Sequence, residues 1–143
     1  MPNSPDLQGQ LIALIRAFGL HRPDQTPCGQ TVTVAEAHAL MELSNGQLLS
    51  QNELSTRLSL EKSTVSRLVK ILERRGWLQR SRSEADRRVI QLTLTKSGQK
   101  AAGQLATARR EKFDRILSAI PKEQQTVVLD SLNILVEAIH ESE

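Results

Sequence analysis

Residues 62–94, KSTVSRLVKILERRGWLQRSRSEADRRVIQLTL, decide the fold that this chain of 143 residues is expected to adopt. The helical spacing of the first half ends at Gly76, and two short segments, 77–81 and 89–94, then have the alternating pattern of strands. The residues between these strands, 82–88, are polar and charged. The segment therefore predicts a helix followed by a β-hairpin with a basic tip.

The helix of this segment has two chemically different faces. When the sequence is wound at about 100° per residue, the apolar positions fall on one side: Val65, Leu68, Val69 and Leu72. Small hydroxyl groups and cations fall on the other side: Ser63, Ser66, Arg67, Lys70 and Arg74. Ile71 lies at the border. This composition is typical of a DNA recognition helix, because small residues near the N-terminus allow a close approach to DNA and Arg67 can reach a guanine edge.

The residues before this segment complete a helix-turn-helix. Two capping boxes, which begin at Thr33 and Ser50, predict a helix over 34–44 and a short helix that ends near Ser59. Residues 7–18 have apolar side chains at helical spacing and predict a further helix. The order of helix, turn, helix, strand, basic loop and strand is that of a winged helix-turn-helix.

The end of the chain is predicted to be helical as well. Thr95 caps a long helix through about Ala119, and Pro121 is a favourable first residue for a final helix that reaches about His140. In that last helix, apolar residues follow one another at intervals of four, three and four: Val128, Leu132, Leu135 and Ile139. This is the spacing of a helix packed on another helix. The predicted fold class is therefore mainly α, with a small β-hairpin wing and terminal dimerisation helices.

Positive charge is concentrated in the middle of the chain. The whole sequence has a net charge of +3, whereas residues 55–96 carry +7 and the remainder carries −4. A basic middle between acidic ends fits a protein that turns one face toward nucleic-acid phosphate, although a solvated charged surface has the same composition. The arrangement of the charges on a helix and an adjoining hairpin favours the first interpretation.

Composition excludes several classes of protein. No apolar run approaches the ~18 to 20 residues of a membrane-spanning helix, and the N-terminus lacks the pattern of a signal peptide, so a cytoplasmic protein without membrane contact is expected. The one cysteine, Cys28, cannot form an internal disulfide. Aromatic residues make up 2% of the chain, which leaves little material for stacking on single-stranded nucleic acid.

The hairpin and the residues after it carry a recognisable motif. Residues 86–98 read D-R-R-x-x-x-L-x-L-T-x-x-G, and together with 63–68 (STVSRL) and 72–76 (LERRG) they resemble the MarR family of bacterial transcriptional regulators. The resemblance implies an obligate homodimer that binds a duplex operator of inverted-repeat type. It also implies that Arg88 enters the minor groove while Asp86 holds the arginines in place.

The expected function is that of a DNA-binding transcription regulator, specifically a repressor released by a small molecule. The predicted DNA-binding residues are Lys62, Ser63, Thr64, Ser66, Arg67, Lys70, Arg74, Arg82, Asp86, Arg87 and Arg88. In the family, the effector cleft lies between the dimerisation helices and the DNA-binding lobe, and the resemblance places it here near Phe18, His38, Met41 and Phe113. The alternative function is a winged-helix module that binds an acidic partner protein without recognising a DNA sequence.

The terminal helices carry more apolar surface than a small winged domain can bury, and this predicts a two-fold dimer. The predicted dimerisation residues are Leu7, Leu11, Leu14, Phe113, Ile116, Ile120, Val128, Leu132, Leu135 and Ile139. Packing of three helices within one chain is the alternative. We expect a single domain over 1–143, with a DNA-binding lobe at 33–94 and dimerisation helices at 6–19 and 95–141.

The remaining residues that could carry chemistry form no local motif. Cys28 has uncharged neighbours, and the sequence leaves open an incidental or structural cysteine and a redox sensor. The histidines, His21, His38 and His140, are too scattered for a metal motif, so neither a metal nor a cofactor is expected. The sequence contains no phosphate-binding glycine loop, nucleophile elbow or paired carboxylates, and an enzyme is not expected.

Overall fold

The computed structural model describes residues 6–23, 25–27, 29–46 and 48–143. The elements are, in chain order, α1 (Leu7–Phe18), α2 (Val34–Leu43), β1 (Leu49–Ser50), α3 (Gln51–Leu58), α4 (Lys62–Arg74), β2 (Leu78–Arg82), β3 (Ile90–Leu94), α5 (Lys96–Ala119) and α6 (Lys122–Glu141). The strands form one antiparallel sheet in the order β1-β3-β2. The predicted fold class is confirmed.

Most helix ends lie where the sequence predicts them. The side chains of Thr33 and Ser50, the N-caps of α2 and α3, each accept a hydrogen bond from the backbone N–H three residues later. Gly19 ends α1 in the left-handed conformation, with φ of 91°. The start of α6 differs by one residue from the prediction, because Pro121 has an extended ψ of 137° and is the N-cap.

The strands depart further from the prediction. Both hairpin strands begin one residue later than expected, and Arg82, predicted to lie in the loop, is the last residue of β2. No pattern in the sequence predicts β1, which pairs Leu49 with Leu92. A strand of two residues is too short to show alternation, so only its pairing with β3 identifies it.

The hydrophobic core lies among α2, α3, α4 and the sheet. Its largest fully buried side chains are Leu40, Leu43, Leu49, Leu54, Val65, Val69, Leu72 and Leu92. The first half of α5 adds Ala102 and Leu105. The core therefore packs against one side of α4 and fixes that helix in the lobe.

The chain divides into two compact units within α5, one ending at residue 108 and the other comprising 109–143. Neither α1, in the first unit, nor α6, in the second, contains a buried residue. No helix in the described part of the chain is long and apolar enough to cross a membrane. Cys28 lies outside the described residues, so both interpretations of it stay predictions.

Candidate nucleic-acid interface

Helix α4 has one buried and one exposed face, as the sequence predicts. The core buries Val65, Leu68, Val69 and Leu72. Of the predicted DNA-binding residues on α4, the exposed ones are Lys62, Ser63, Arg67, Lys70 and Arg74, and the half-buried ones are Thr64 and Ser66. The core therefore fixes the buried side of α4, and the opposite side, which carries the predicted DNA-binding residues, is accessible to solvent.

The cations of this face are not neutralised by the protein. Within the described residues, no carboxylate oxygen lies within 4.0 Å of the charged groups of Lys62, Arg67, Lys70 or Arg74. Three other arginines of the basic middle do form ion pairs with glutamates: Arg57, Arg75 and Arg80. The protein therefore uses part of its basic middle for internal contacts and leaves the face of α4 positive.

The turn between α3 and α4 fixes the two helices of the motif relative to each other. Ser59 ends α3 in the left-handed conformation, with φ of 54° and ψ of 42°. The hydroxyl of Ser55 donates to the backbone carbonyl of Leu60 at 2.6 Å. Because Ser55 is buried, this hydrogen bond holds the turn from the inside.

At the tip of the hairpin, Asp86 holds Arg88. The Nε of Arg88 lies 3.1 Å from Oδ1 and its Nη2 lies 3.2 Å from Oδ2, while the Arg88 backbone N–H donates to Oδ1 at 3.1 Å. The Arg88 side chain is nevertheless 91% exposed. Hydrogen bonds from the Arg88 side chain first, and from its backbone N–H second, hold the pKa of Asp86 below its ordinary value. The carboxylate therefore directs the guanidinium without burying it.

The other arginines of the wing have different surroundings. Arg82 donates from Nη1 to the backbone carbonyl of Arg87 at 2.9 Å. The backbone N–H of Ser83 donates to the carbonyl of Val89, and the Ser83 hydroxyl accepts from the N–H of Asp86. Arg87 is exposed. Arg82, predicted to contact DNA, thus also shapes the loop that presents the neighbouring arginines.

An ion pair joins the wing to α4. The Nη2 of Arg80, on β2, lies 3.2 Å from Oε1 of Glu73, and its Nε lies 3.3 Å from Oε2. The pair lines an open cavity of about 280 Å³ beside Ser81, Arg82 and Ile90. Sequence reasoning missed this contact, because no helical or strand interval relates the two positions.

The end of α4 is also joined to α2. The Nε of Arg75 lies 2.7 Å from Oε2 of Glu36, a residue that is 4% exposed. The N–H bond does not point at that oxygen, so the contact is an ion pair rather than an aligned hydrogen bond. The guanidinium carbon of Arg75 lies 4.9 Å from the centre of the Trp77 ring. Arg75 is one of the cations counted in the basic middle, but its contacts with Glu36 and Trp77 give it a structural role at the end of α4.

The start of α5 packs against the end of α4. The hydroxyl of Thr95 donates to the carbonyl of Gly76 at 2.6 Å and accepts from the N–H of Gly98 at 3.0 Å. A Cβ atom at Gly98 would overlap the carbonyl oxygen of Trp77. The T-x-x-G end of the sequence motif therefore joins the start of α5 to the turn between α4 and β2.

The structure locates the predicted effector residues but does not test their role. In the first unit, Phe18 and Met41 are half-buried and His38 is exposed, and in the second unit Phe113 is exposed. Among the described residues, no group of three or more histidine, cysteine, aspartate or glutamate side chains is placed to hold a metal ion. The effector site stays a prediction.

The predicted dimerisation residues carry accessible apolar surface. The exposed ones are Leu7, Leu14, Phe113, Ile116, Leu132 and Ile139, and the half-buried ones are Leu11, Ile120, Val128 and Leu135. Apolar surface of this extent typically marks a site of interaction. The interface itself stays a prediction.

Comparison with known proteins shows which family the DNA-binding lobe resembles. The model of the MarR family matches residues 32–90. The HTH-type transcriptional regulator SarZ of Staphylococcus haemolyticus is 34% identical over 67 residues, which cover 47% of this chain and 46% of SarZ. The transcriptional repressor MprA of Escherichia coli is 27% identical over 92 residues, 64% of this chain and 52% of MprA. The matched region thus spans about half the length of these curated relatives.

The family model and these relatives show that the lobe of this chain is similar to MarR-family regulators. The predicted resemblance is therefore confirmed over the matched residues. The family and these relatives are transcription regulators rather than enzymes, which agrees with the function class that the sequence predicts. The fold agrees over nearly the whole chain with that of S. aureus MepR in a complex with DNA. The TM-score is 0.78 at 23% identity, covering 94% of this chain and 99% of MepR.

Proposed function

We propose that this chain is a homodimeric transcription repressor that binds duplex DNA at a palindromic operator and leaves it when a small molecule binds. The observation that carries the proposal is the basic face of α4, whose cations have no carboxylate partner among the described residues, together with a wing that presents Arg88. The DNA complex of MepR and the description of MprA as a repressor support it.

The chemistry of α4 suits the major groove. The groove is about 12 Å wide and admits a helix. Ser63 and Thr64 lie in the first turn, where backbone N–H groups and the helix dipole attract phosphate. Arg67 follows one turn later on the exposed face, with a guanidinium that can bind the O6 and N7 of guanine at two points. We assign Arg67 to base recognition, and Lys70 and Arg74 to phosphate.

The chemistry of the wing suits the minor groove. A narrow minor groove concentrates negative potential and attracts an extended arginine. Arg88 is almost fully exposed, and two hydrogen bonds from its guanidinium to Asp86 orient it at the wing tip. Since the edge pattern of this groove is degenerate, the wing adds affinity and a preference for A·T pairs at the flanks of the operator.

The apolar surfaces of α1, α5 and α6 support the dimer. A two-fold axis would place two α4 helices about one turn of DNA apart, and a palindromic operator matches that symmetry. The proposal assigns the effector to the region of Phe18, His38, Met41 and Phe113, as the resemblance to the family implies. Because a bacterial transcription regulator binds chromosomal DNA, the proposed function includes a cytoplasmic location.

The test is selection of bound duplexes from a random pool, followed by titration of a recovered duplex at several salt concentrations. The expected result is a palindrome whose half-sites lie about one helical turn apart, with an affinity that falls steeply as salt rises. Arg67→Ala in the selection is the matched control, because it should shift the recovered sequence at one base pair of each half-site.

Two other results would point elsewhere. Binding of all duplexes with equal affinity would contradict an operator-specific regulator. Absence of duplex binding, together with salt-dependent binding of an acidic protein, would support the interaction module. A recovered sequence without two-fold symmetry would leave DNA recognition standing and refute the dimer on the operator.

A further inference from the structure

Ile71 is an exposed apolar residue at the border of the basic face of α4. The large apolar side chains of the lobe at 33–94 are mostly buried or half-buried, and among its described residues only Leu48 and Ile71 are clearly exposed. Ile71 is 40% exposed, whereas its neighbour Leu72 is fully buried. An exposed isoleucine alone is unremarkable in a protein surface. Its surroundings are what distinguish this one.

The position of Ile71 on α4 places it among the predicted DNA contacts. With about 100° per residue, Ile71 lies about 40° from Arg67 and about 60° from Arg74 around the helix axis. The wing attaches to α4 through Glu73, about 160° from Ile71, so the wing lies on the other side of the helix. Ile71 therefore lies at the edge of the basic face, next to Arg67 and Arg74, with the buried Leu68 about 60° away on its other side.

The surrounding charge selects the kind of partner. A second copy of this face would bring the unpaired cations Arg67 and Arg74 against like charges, which is unfavourable. Duplex DNA satisfies these cations with phosphate. In the major groove, DNA also offers an apolar group, the C5-methyl of thymine, and isoleucine has the size and chemistry to pack on it.

We propose that Ile71 is a specificity-determining residue that packs on a thymine methyl group in each half-site of the operator. The inference rests on the proposed function and adds one base to what α4 recognises, next to the base pair bound by Arg67. The contact excludes water from both apolar groups, so its loss should correspond to about one buried methyl group, or about fourfold in affinity per half-site.

The experiment replaces thymine by deoxyuridine, which keeps the base pair and removes only the methyl group. The probe is the duplex recovered by selection, with thymines replaced one symmetric pair at a time. Wild-type protein should lose about fourfold in affinity per half-site at one position. Ile71→Ala should bind the thymine duplex with the affinity that wild type has for the deoxyuridine duplex, and it should not respond to the replacement.

Leu48→Ala is the matched control, because Leu48 is the other exposed apolar residue of the lobe and lies outside α4. It should keep the full wild-type response to deoxyuridine. The thermal unfolding of Ile71→Ala should match that of wild type, since the side chain contributes little to the core and alanine favours the helix.

The inference is wrong if wild type tolerates deoxyuridine at every position, or if Ile71→Ala keeps the wild-type response. Either outcome leaves the proposed function intact, because the operator was recovered. If the selection recovers no duplex, the proposed function is contradicted, and the thymine contact, which depends on it, is contradicted as well.

Discussion

Helices α4 and α6 have a similar share of apolar residues but differ in how many of those side chains are buried. In α4, of 13 residues, four apolar side chains are buried in the lobe, and its cations face outward. In α6, of 20 residues, no side chain is buried, although six large apolar ones are exposed: Val127, Leu129, Leu132, Ile134, Val136 and Ile139. The apolar pattern of α4 is completed within the chain. The apolar pattern of α6 is not completed within the described unit, which is what the proposed dimer would explain.

This difference separates two roles within one chain. The lobe builds its own core, so its recognition face can be rigid in a single protomer. The helices at the termini expose apolar surface that water disfavours, and that surface favours association. In the proposed function, the terminal helices form the dimer and the lobe binds DNA. Substitutions in the two regions should therefore affect different properties: those in the terminal helices the dimer, and those in the lobe its stability and its contacts with DNA.

The largest effect is expected from Leu132→Asp combined with Leu135→Asp on α6. Two carboxylates in an apolar interface would have to lose water without gaining partners, so the dimer should be lost. Without a stable dimer, DNA binding should be lost as well. Sedimentation at micromolar concentration and titration with the selected duplex measure both results.

Leu132→Met combined with Leu135→Met is the control, because methionine keeps the volume and apolar character of leucine. This variant should remain dimeric and bind DNA. A wild-type protein that sediments at micromolar concentration as a well-folded monomer would overturn the comparison, since α6 would then tolerate its exposed surface.

Leu72→Ala in the lobe should lower the free energy of unfolding by about 2 to 5 kcal/mol, because it leaves a cavity at a fully buried site. The loss should be the same at high and low protein concentration. Leu135→Ala on α6 is the matched variant, and its effect should shrink as the protein is diluted below the dissociation constant of the wild-type dimer, because both proteins are then monomers. Urea unfolding at two protein concentrations measures both. An equal dependence on dilution would erase the distinction between the regions.

The same division explains what could be predicted from the sequence. The bounds of α1 and the caps Thr33 and Ser50 were predictable because each depends on residues only a few positions apart. The two faces of α4 followed from its period. Arg88 and Asp86 lie in one short motif, so their contact could be expected from the resemblance to the family.

Contacts that depend on the packed chain could not be predicted. The pairs Glu73–Arg80 and Glu36–Arg75 join elements whose approach is set by the core, and they turn two arginines of the basic middle into structural residues. The strand β1 exists only through its pairing with β3. Charge counting therefore overstated how much of the basic middle is available to DNA.

Arg67→Ala and Arg88→Ala should divide recognition between α4 and the wing. Arg67→Ala should cost roughly 1 to 3 kcal/mol on the selected duplex, and less on a duplex with the contacted base pair changed. Arg88→Ala should weaken binding to all duplexes and lower the salt dependence by about one counterion. Titration of matched and singly changed duplexes at several salt concentrations provides the measurement.

Each arginine assignment has its own contradicting result. If Arg67→Ala weakens binding to every duplex equally, Arg67 contacts phosphate rather than a base. If Arg88→Ala leaves affinity unchanged, the wing does not bind the minor groove through this residue.

A smaller effect is expected from Asp86→Asn, which removes the charge that holds Arg88. The variant also removes a negative charge near DNA, so total affinity should change little, while the preference for A·T over G·C flanks should fall a few-fold. Hydrogen bonds from Arg88 hold the pKa of Asp86 below its ordinary value of 3.8. The stabilising effect of the ion pair is therefore fully present above that ordinary value and is lost only as pH falls through the lowered pKa. Flank preference measured between pH 6 and 8 should therefore be constant for wild type.

The smallest effect is expected at Ser59, in the turn that joins α3 to α4. Its φ of 54° lies in the left-handed region, which glycine adopts without the steric cost that a Cβ imposes. Ser59→Gly should therefore raise the free energy of unfolding by about 0.5 to 1 kcal/mol. Ser59→Ala is the control and should not stabilise the protein, since alanine keeps the Cβ. Urea unfolding compares the three proteins, and a glycine variant less stable than wild type would show that the serine side chain contributes more to the turn than its backbone strain costs. The gain should not depend on protein concentration, because the turn belongs to the lobe that completes its own core.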